Sequence, residues 1–254
     1  MRHAFKYLKI IAVISISAFT IYSCSSLPMI VEFPNGWIEK SPPILQSIEW
    51  ANANYCYEAC RISLKDTNIF ITLFEPKRDT LRYYIPGEGH FIATDHGEWG
   101  GWLDFVPVTQ PESLYQVMSG NIRYIFKIKG DLYCLYHYGG MYGSMCKLEK
   151  ANGRWISSDA LYFGKPFDTP KIFAITEDNE LYVVTSTRLL YISSEWLLKA
   201  IVDSIFWWNG LAPNSMVIIN NTAIIGMCGG ITKVDFISKK ISWFVRKQPK
   251  VWIQ

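Results

Sequence analysis

From Cys60 onward, apolar and polar positions alternate in short runs rich in β-branched and aromatic residues, each bounded by turn residues. This pattern predicts strands over Arg61–Leu64, Ile69–Phe74, Leu81–Ile85, His90–Thr94, Gly101–Val106 and Leu114–Met118. It continues through Ile122–Ile128, Leu132–Tyr138, Ser144–Leu148, Trp155–Ser158, Ile172–Thr176, Leu181–Thr185 and Arg188–Ile192. Ser194–Ile201 is the one segment with a helical pattern, and Ser215–Ile219, Thr222–Met227, Ile231–Asp235 and Ile241–Val245 close the chain as strands. The connectors Lys129-Gly130-Asp131, Ala151-Asn152-Gly153 and Asn220-Asn221 carry residues that accept the positive φ a tight hairpin needs.

A longer period lies over this alternation. The segments starting at Phe126, Phe173 and Met216 each read as apolar strand, polar turn, aliphatic strand, and a third and usually a fourth strand follow. Their starts are 47 and 43 residues apart, the length of one four-stranded blade of a β-propeller. Two weaker copies fit around Ile62–Ile85 and Phe91–Met118. The expected fold is therefore all-β, a β-propeller of about five four-stranded blades, with an irregular β-sandwich or meander as the alternative. The body occupies residues 56–254, preceded by a Pro-containing lead-in over 24–55 in which Trp37, Ile38 and Trp50 call for burial.

The N-terminal part reads differently. Met1–Lys9 is basic, and Ile10–Ile21 is a twelve-residue apolar stretch, too short for a spanning helix of roughly 20 residues and suited to a signal-peptide core. Ile21-Tyr22-Ser23-Cys24-Ser25 follows. It resembles the lipobox of bacterial lipoproteins, which implies cleavage after residue 23 and acylation of Cys24. Ser25 after the cysteine implies the outer membrane, facing the periplasm. Acyl chains contribute about 0.8 kcal/mol per buried CH₂, and two or more hold a soluble body at a bilayer.

Processing also changes the charge. The chain has 25 Lys and Arg against 22 Asp and Glu, and residues 1–23 hold three bases and no acid, so the mature chain is neutral. A neutral body lacks the basic footprint from which nucleic-acid affinity largely comes, so no nucleic acid is expected as a partner.

With Cys24 acylated, Cys56, Cys60, Cys134, Cys146 and Cys228 remain. Cys134 and Cys146 flank the Gly-rich turn 139–143 and stand nearly opposite on a hairpin. Cys56 and Cys60 sit one helical turn apart, or pair across a loop. For both pairs, disulfide and buried thiol stay open.

The densest polar stretch runs from Glu88 to Asp104. His90, His96 and Glu98 within it are candidates for a metal or acid/base site, against a Gly-rich hairpin whose polar side chains are simply solvated. Nucleophile-elbow, dinucleotide-loop and Walker signatures are missing, and no cofactor is expected. Trp207, Trp208, Tyr138 and Tyr142 lie near turns and are candidates for a binding surface, or for packing between blades.

Two further motifs carry a resemblance. Leu211-Ala-Pro-Asn-Ser-Met-Val with Ile225-Gly-Met-Cys-Gly-Gly-Ile, and His96-Gly-Glu-Trp-Gly-Gly-Trp-Leu-Asp-Phe, resemble segments of a group of bacterial propeller-like proteins with no assigned activity. The resemblance implies a shared fold. The functional expectation is a lipid-anchored envelope propeller that binds another envelope protein or a toxin, without catalysis. The alternatives are a metal-dependent, lactonase-like hydrolase and a glycan- or cell-wall-binding module.

Overall fold

The computed structural model describes residues 33–247 apart from 56–57, 66–67, 76–79, 204–205 and 208–209, with the side chains of 159–160 also undescribed. The chain opens with strand β1 (Trp37–Lys40) and helix α1 (Ile48–Asn54). Then come the hairpin β2 (Ala59–Lys65) and β3 (Asn68–Phe74) and the meander β4 (Leu81–Ile85), β5 (Gly89–Ala93), β6 (Trp102–Pro107) and β7 (Tyr115–Ser119). The next meander is β8 (Asn121–Ile128), β9 (Asp131–Tyr138), β10 (Tyr142–Ala151) and β11 (Arg154–Pro166). Another is β12 (Pro170–Ile175), β13 (Leu181–Thr185), β14 (Arg188–Ile192) and β15 (Leu198–Asp203). The last is β16 (Ser215–Ile219), β17 (Thr222–Met227), β18 (Gly230–Asp235) and β19 (Ile241–Arg246). No helix among the described residues is long and apolar enough to cross a membrane.

Each meander is one antiparallel sheet in chain order, and β1 joins the last sheet beside β19. The turns explain why the meanders form. Lys129 and Gly130 (φ 52° and 88°), and Asn152 and Gly153 (φ 52° and 78°), are both left-handed, which is the twist that two-residue hairpins require. Neighbouring sheets then bury each other's faces. Phe91, Leu103 and Phe105 of the β4–β7 sheet share a core with Ile125, Leu132 and Tyr136 of the next. Phe126, Leu135 and Met145 pack against Leu181, Val183 and Leu190. Val184 and Leu189 meet Ala223 and Ile225, and Ile219, Ile224 and Ile231 meet Cys60 and Ile62 of β2. Each fully buried Leu, Ile, Val, Phe or Met among them contributes about 1.5–3 kcal/mol. The first strands β4, β8, β12 and β16 lie side by side in sequence. The fold is all-β and propeller-like.

Two details depart from the sequence expectation. The segment 194–201 is not a helix: a turn closed by the Ser193 hydroxyl, which accepts from Glu195 N at 3.2 Å and Leu197 N at 3.1 Å, leads into the strand β15. Leu198 and Ala200 pack into one core and Ile201 into the other, a two-faced demand that a strand meets, and the register shift between Leu189 and Leu190 lets Val202 join Ile201. The first sheet holds two strands rather than four, because β4 pairs with β5 and leaves β2–β3 as a ribbon. Within the lead-in, β1 pairs with β19 and α1 is tied to the connection between β15 and β16: Trp50 Nε1 donates to Phe206 O at 2.8 Å, and Leu211 N to Asn54 Oδ1 at 2.8 Å, whereas Ile38, on the edge strand β1, stays exposed rather than buried.

Candidate functional site

The two ends of this stack of sheets differ in chemistry. At one end, here the entry end, the first strand of each sheet begins and the second hands over to the third. Among the described residues, eight of the ten buried polar or charged ones lie there: Asn121, His137, Asp168, Thr169, Thr185, Ser186, Arg188 and Ser215. Buried polar groups are costly unless paired, so their concentration marks the end where the chain spends effort on fixing geometry.

Two networks do the fixing. In the first, Asn121 at the start of β8 ties three loops together. Its Oδ1 accepts from His96 N at 3.1 Å, and its Nδ2 donates to Gly97 O at 2.6 Å and lies 3.3 Å from His137 Nδ1. Gly140 N also donates to His137 Nδ1, at 3.2 Å, which makes this nitrogen the acceptor and places the ring proton on Nε2. His137 stays neutral at physiological pH: burial, with Arg123 and Lys171 nearby and Asp95 opposing them, pushes its pKa down to about 4. A general base needs a reachable lone pair, and that of His137 is already used, so the imidazole acts here as a strut. Arg123 pairs with Asp95 at 2.7 Å.

The second network is a buried ion pair between the β11–β12 connection and the β13–β14 turn. Asp168 accepts from Arg188 Nε at 2.7 Å, from Arg188 Nη2, from Thr187 Oγ1 at 2.7 Å and from Thr185 Oγ1. Arg188 Nη2 also reaches Phe163 O at 2.6 Å. Gly143 is required beneath it, because a Cβ there would stand 2.1 Å from Asp168 O.

On this rigid bed lies an arc of exposed aromatic and apolar side chains. Trp99 is 90% exposed at the tip of the β5–β6 loop. Trp102 follows, its ring 5.2 Å from that of His96. The Cα partner of Trp102 is Ser119, and next to it Gly120 donates to Gly101 O at 2.8 Å, where a side chain in place of the glycine would meet the Tyr136 and Tyr138 rings. Tyr138 is the cross-strand partner of Tyr142, whose ring is 6.1 Å from Tyr162. Met141 accepts at its carbonyl from Phe167 N at 2.5 Å. Trp102, Tyr138, Met141, Tyr142, Tyr162 and Phe167 are all exposed.

The sequence candidates distribute as follows. His90 and His96 sit at opposite ends of β5. His90 stacks on Tyr84 at 5.1 Å, with Arg82 Nη1 at 3.3 Å from its Nε2. It lines an open cavity of about 350 Å³ with Tyr84, Pro86, Val106 and Pro107. His96 and Glu98 are exposed in the β5–β6 loop. The three do not converge, and no group of three or more His, Cys, Asp or Glu among the described residues could hold a metal ion. Tyr138 and Tyr142 are exposed, whereas Trp207 is not: it is 1% exposed, and its Nε1 donates to Thr185 O at 3.1 Å. Its indole anchors the ion-pair turn to the core it shares with Leu189 and Met216. Trp208, Cys24 and Cys56 lie outside the described residues. Cys60 is a buried thiol on β2, so the reading of residues 56–60 as a helical turn does not apply to it. Cys134 and Cys146 are buried thiols facing each other across β9 and β10.

Sequence reasoning missed Asn121, Asp168 and Arg188. Asp168 and Arg188 are 20 residues apart, and no local pattern links them. Trp99 and Trp102 stood inside the Gly-Glu-Trp-Gly-Gly-Trp motif, whose glycines Gly97 and Gly100 (φ 64° and 83°) make the one-turn 3₁₀ helix that lifts Trp99 into solvent.

No protein-family model matches the chain, and no curated protein matches it in sequence. Solved structures do match. One is an extracellular domain assigned to a hybrid two-component system of B. thetaiotaomicron, with 14% identity over 63% of this chain and 22% of that one and a TM-score of 0.42. Another is a streptogramin B lyase, with 13% identity, 84% and 74% of the two chains covered and a TM-score of 0.41. A third is a protein from Lactobacillus plantarum, with 12% identity, 77% and 67% covered and a TM-score of 0.42. The chain thus spans about a fifth of the first of these. At these identities and scores the likenesses carry no functional argument.

Proposed function

We propose that this chain is a lipid-anchored protein of the bacterial cell envelope that binds another protein, an envelope factor or an incoming toxin, through the aromatic arc of its entry end, and that it does so without catalysis. The observation that carries the reading is the arc itself: Trp99, Trp102, Tyr138, Met141 and Tyr142 are all exposed at the entry end, which the Asn121 and Asp168 networks hold in place. Tyr, Trp and Met are enriched, and acids and Lys depleted, in the cores of protein interfaces. A preordered backbone lowers the entropic cost of binding. The anchor is the acylated Cys24, and the neutral mature body fits a partner chosen by shape and apolar contact rather than by charge.

The test uses the full chain in cells. Affinity purification after crosslinking is expected to recover one defined partner with the wild type and with Ile237→Ala, and to lose it with Trp99→Ala/Tyr142→Ala. Truncating a central aromatic costs at least about 2 kcal/mol, or roughly 30-fold in affinity for each residue. Equal recovery by the double variant overturns the surface, and retention on peptidoglycan or glycan in place of protein overturns the partner class. Metabolic labelling with a fatty-acid analogue tests the anchor, with label expected on the wild type and lost in Cys24→Ala.

A further inference from the structure

At the junction of the β4–β7 and β8–β11 sheets, three sulfur atoms converge. Cys134 on β9 and Cys146 on β10 are direct Cα partners, and their Sγ atoms are 3.0 Å apart. The Met118 sulfur on β7 lies 3.7 Å from the first and 3.4 Å from the second. Both cysteines are at most 1% exposed. Directly opposed residues on antiparallel strands have Cβ atoms about 4.5–5.5 Å apart, and a disulfide needs about 3.5–4.5 Å and an S–S bond of about 2.05 Å. Bond formation therefore requires a closure of about 1 Å and no change of register.

We propose that Cys134 and Cys146 are a site of oxidative modification that a small-molecule or protein disulfide closes into a cross-strand disulfide. One cysteine thiolate attacks a sulfur of the incoming disulfide, forming a mixed disulfide and releasing one thiol. The second cysteine then attacks the protein sulfur of that mixed disulfide and releases the second thiol. The two cysteine sulfurs lose two electrons, the incoming disulfide gains them, and the two protons end on the two released thiols. Thioether sulfur has no proton to exchange, so Met118 packs over the pair and takes no part in the bond. The burial that keeps water out also pushes the Cys134 thiol well above its ordinary range, with Cys146 adding to the effect. Attack needs the thiolate, so the exchange takes place before β9 and β10 pack against β7, or while they open. In the closed blade either form is protected.

The experiment reduces and unfolds the full-length protein and refolds it in a mixture of oxidised and reduced glutathione. Acid quenching, alkylation in denaturant and peptide mapping follow. The expected product is a Cys134–Cys146 linked peptide, lighter by two hydrogens than its two parts and unalkylated until reduced. In Cys134→Ser, Cys146 becomes alkylated and the rest of the map is unchanged. The proposal is overturned if the refolded wild type, with its strand signal by circular dichroism restored, alkylates at both positions, or if Cys134 or Cys146 is linked to another cysteine. Should refolding in vitro fail, protein made in cells and alkylated at lysis gives the same map with the same two readings.

Discussion

Replacing Asp168 by Asn tests whether the buried ion pair holds the entry end together. The side chain is fully buried, and four donors converge on it: two from Arg188 and one each from Thr185 and Thr187. Asn keeps the volume, removes the charge and turns one acceptor into an N–H₂ group that faces donors. Arg188, 5% exposed, is then a buried guanidinium with no carboxylate to balance it, left with neutral acceptors such as Phe163 O. A hydrogen bond to a charged group contributes about 1.5–3 kcal/mol, and breaking a buried pair by losing one partner costs about 3–5 kcal/mol. With a urea m-value of about 2.5 kcal/mol/M, a loss of about 4 kcal/mol lowers the midpoint by about 1.5 M. Arg188→Met is expected to cost a similar amount by stranding the carboxylate. The double variant Asp168→Asn/Arg188→Met should lose less than the two singles together by at least about 2 kcal/mol, since neither orphan remains. Equilibrium urea unfolding followed by tryptophan fluorescence and circular dichroism reads all three. A single-variant shift below about 0.3 M, or strict additivity, refutes the reasoning.

Three further outcomes follow from the same geometry. His137 has an ordinary pKa of 6.5 and a folded value of about 4, so between these values the unfolded chain binds the extra proton. Stability contributed by the neutral ring is complete above pH 6.5 and falls by roughly 3 kcal/mol as the pH drops to 4; His137→Asn should flatten that part of the urea-midpoint profile, and an unchanged slope counts against the assignment. Gly143→Ala sets a methyl 2.1 Å from Asp168 O and should cost at least about 3 kcal/mol, against about 1 kcal/mol for Gly130→Ala, where space is open and only a positive φ is strained. Trp207→Ala should lose about 3–5 kcal/mol as a core truncation, whereas Trp99→Ala should change thermal stability by less than about 0.5 kcal/mol.

Much of the fold was legible because its information is local. The limits of β4, β13, β14, β16 and β17 coincide with the alternating runs, and the tight turns sit on the Gly and Asn residues that name them. What escaped was set by tertiary context. The segment Ser194-Glu-Trp-Leu-Leu-Lys-Ala-Ile has the composition of a helix, but the open edge of β14 and two hydrophobic cores claimed it as a strand. Helix α1 is seven residues long, too short for a periodic signal, and only the Ser47 cap on Trp50 N marked it. Trp207 next to Trp208 read as a surface pair because sequence shows aromatic density and not the direction in which an indole points. Of the candidate site, Tyr138 and Tyr142 were found at the end of a strand. Trp99 and Trp102 were in plain view within a glycine motif, but their exposure depends on Asn121, 22 residues further on, holding the His96–Gly97 backbone.

Site-specific photocrosslinking in living cells bears most directly on the binding account. A photoreactive phenylalanine derivative is placed at Trp99 on the arc or at Ile237, which is 77% exposed in the turn between β18 and β19 at the opposite end. The account predicts a single discrete adduct of defined mass from position 99 and none from position 237. Equal adducts from both positions, or none from position 99 in protein that is folded and membrane-attached, would contradict it.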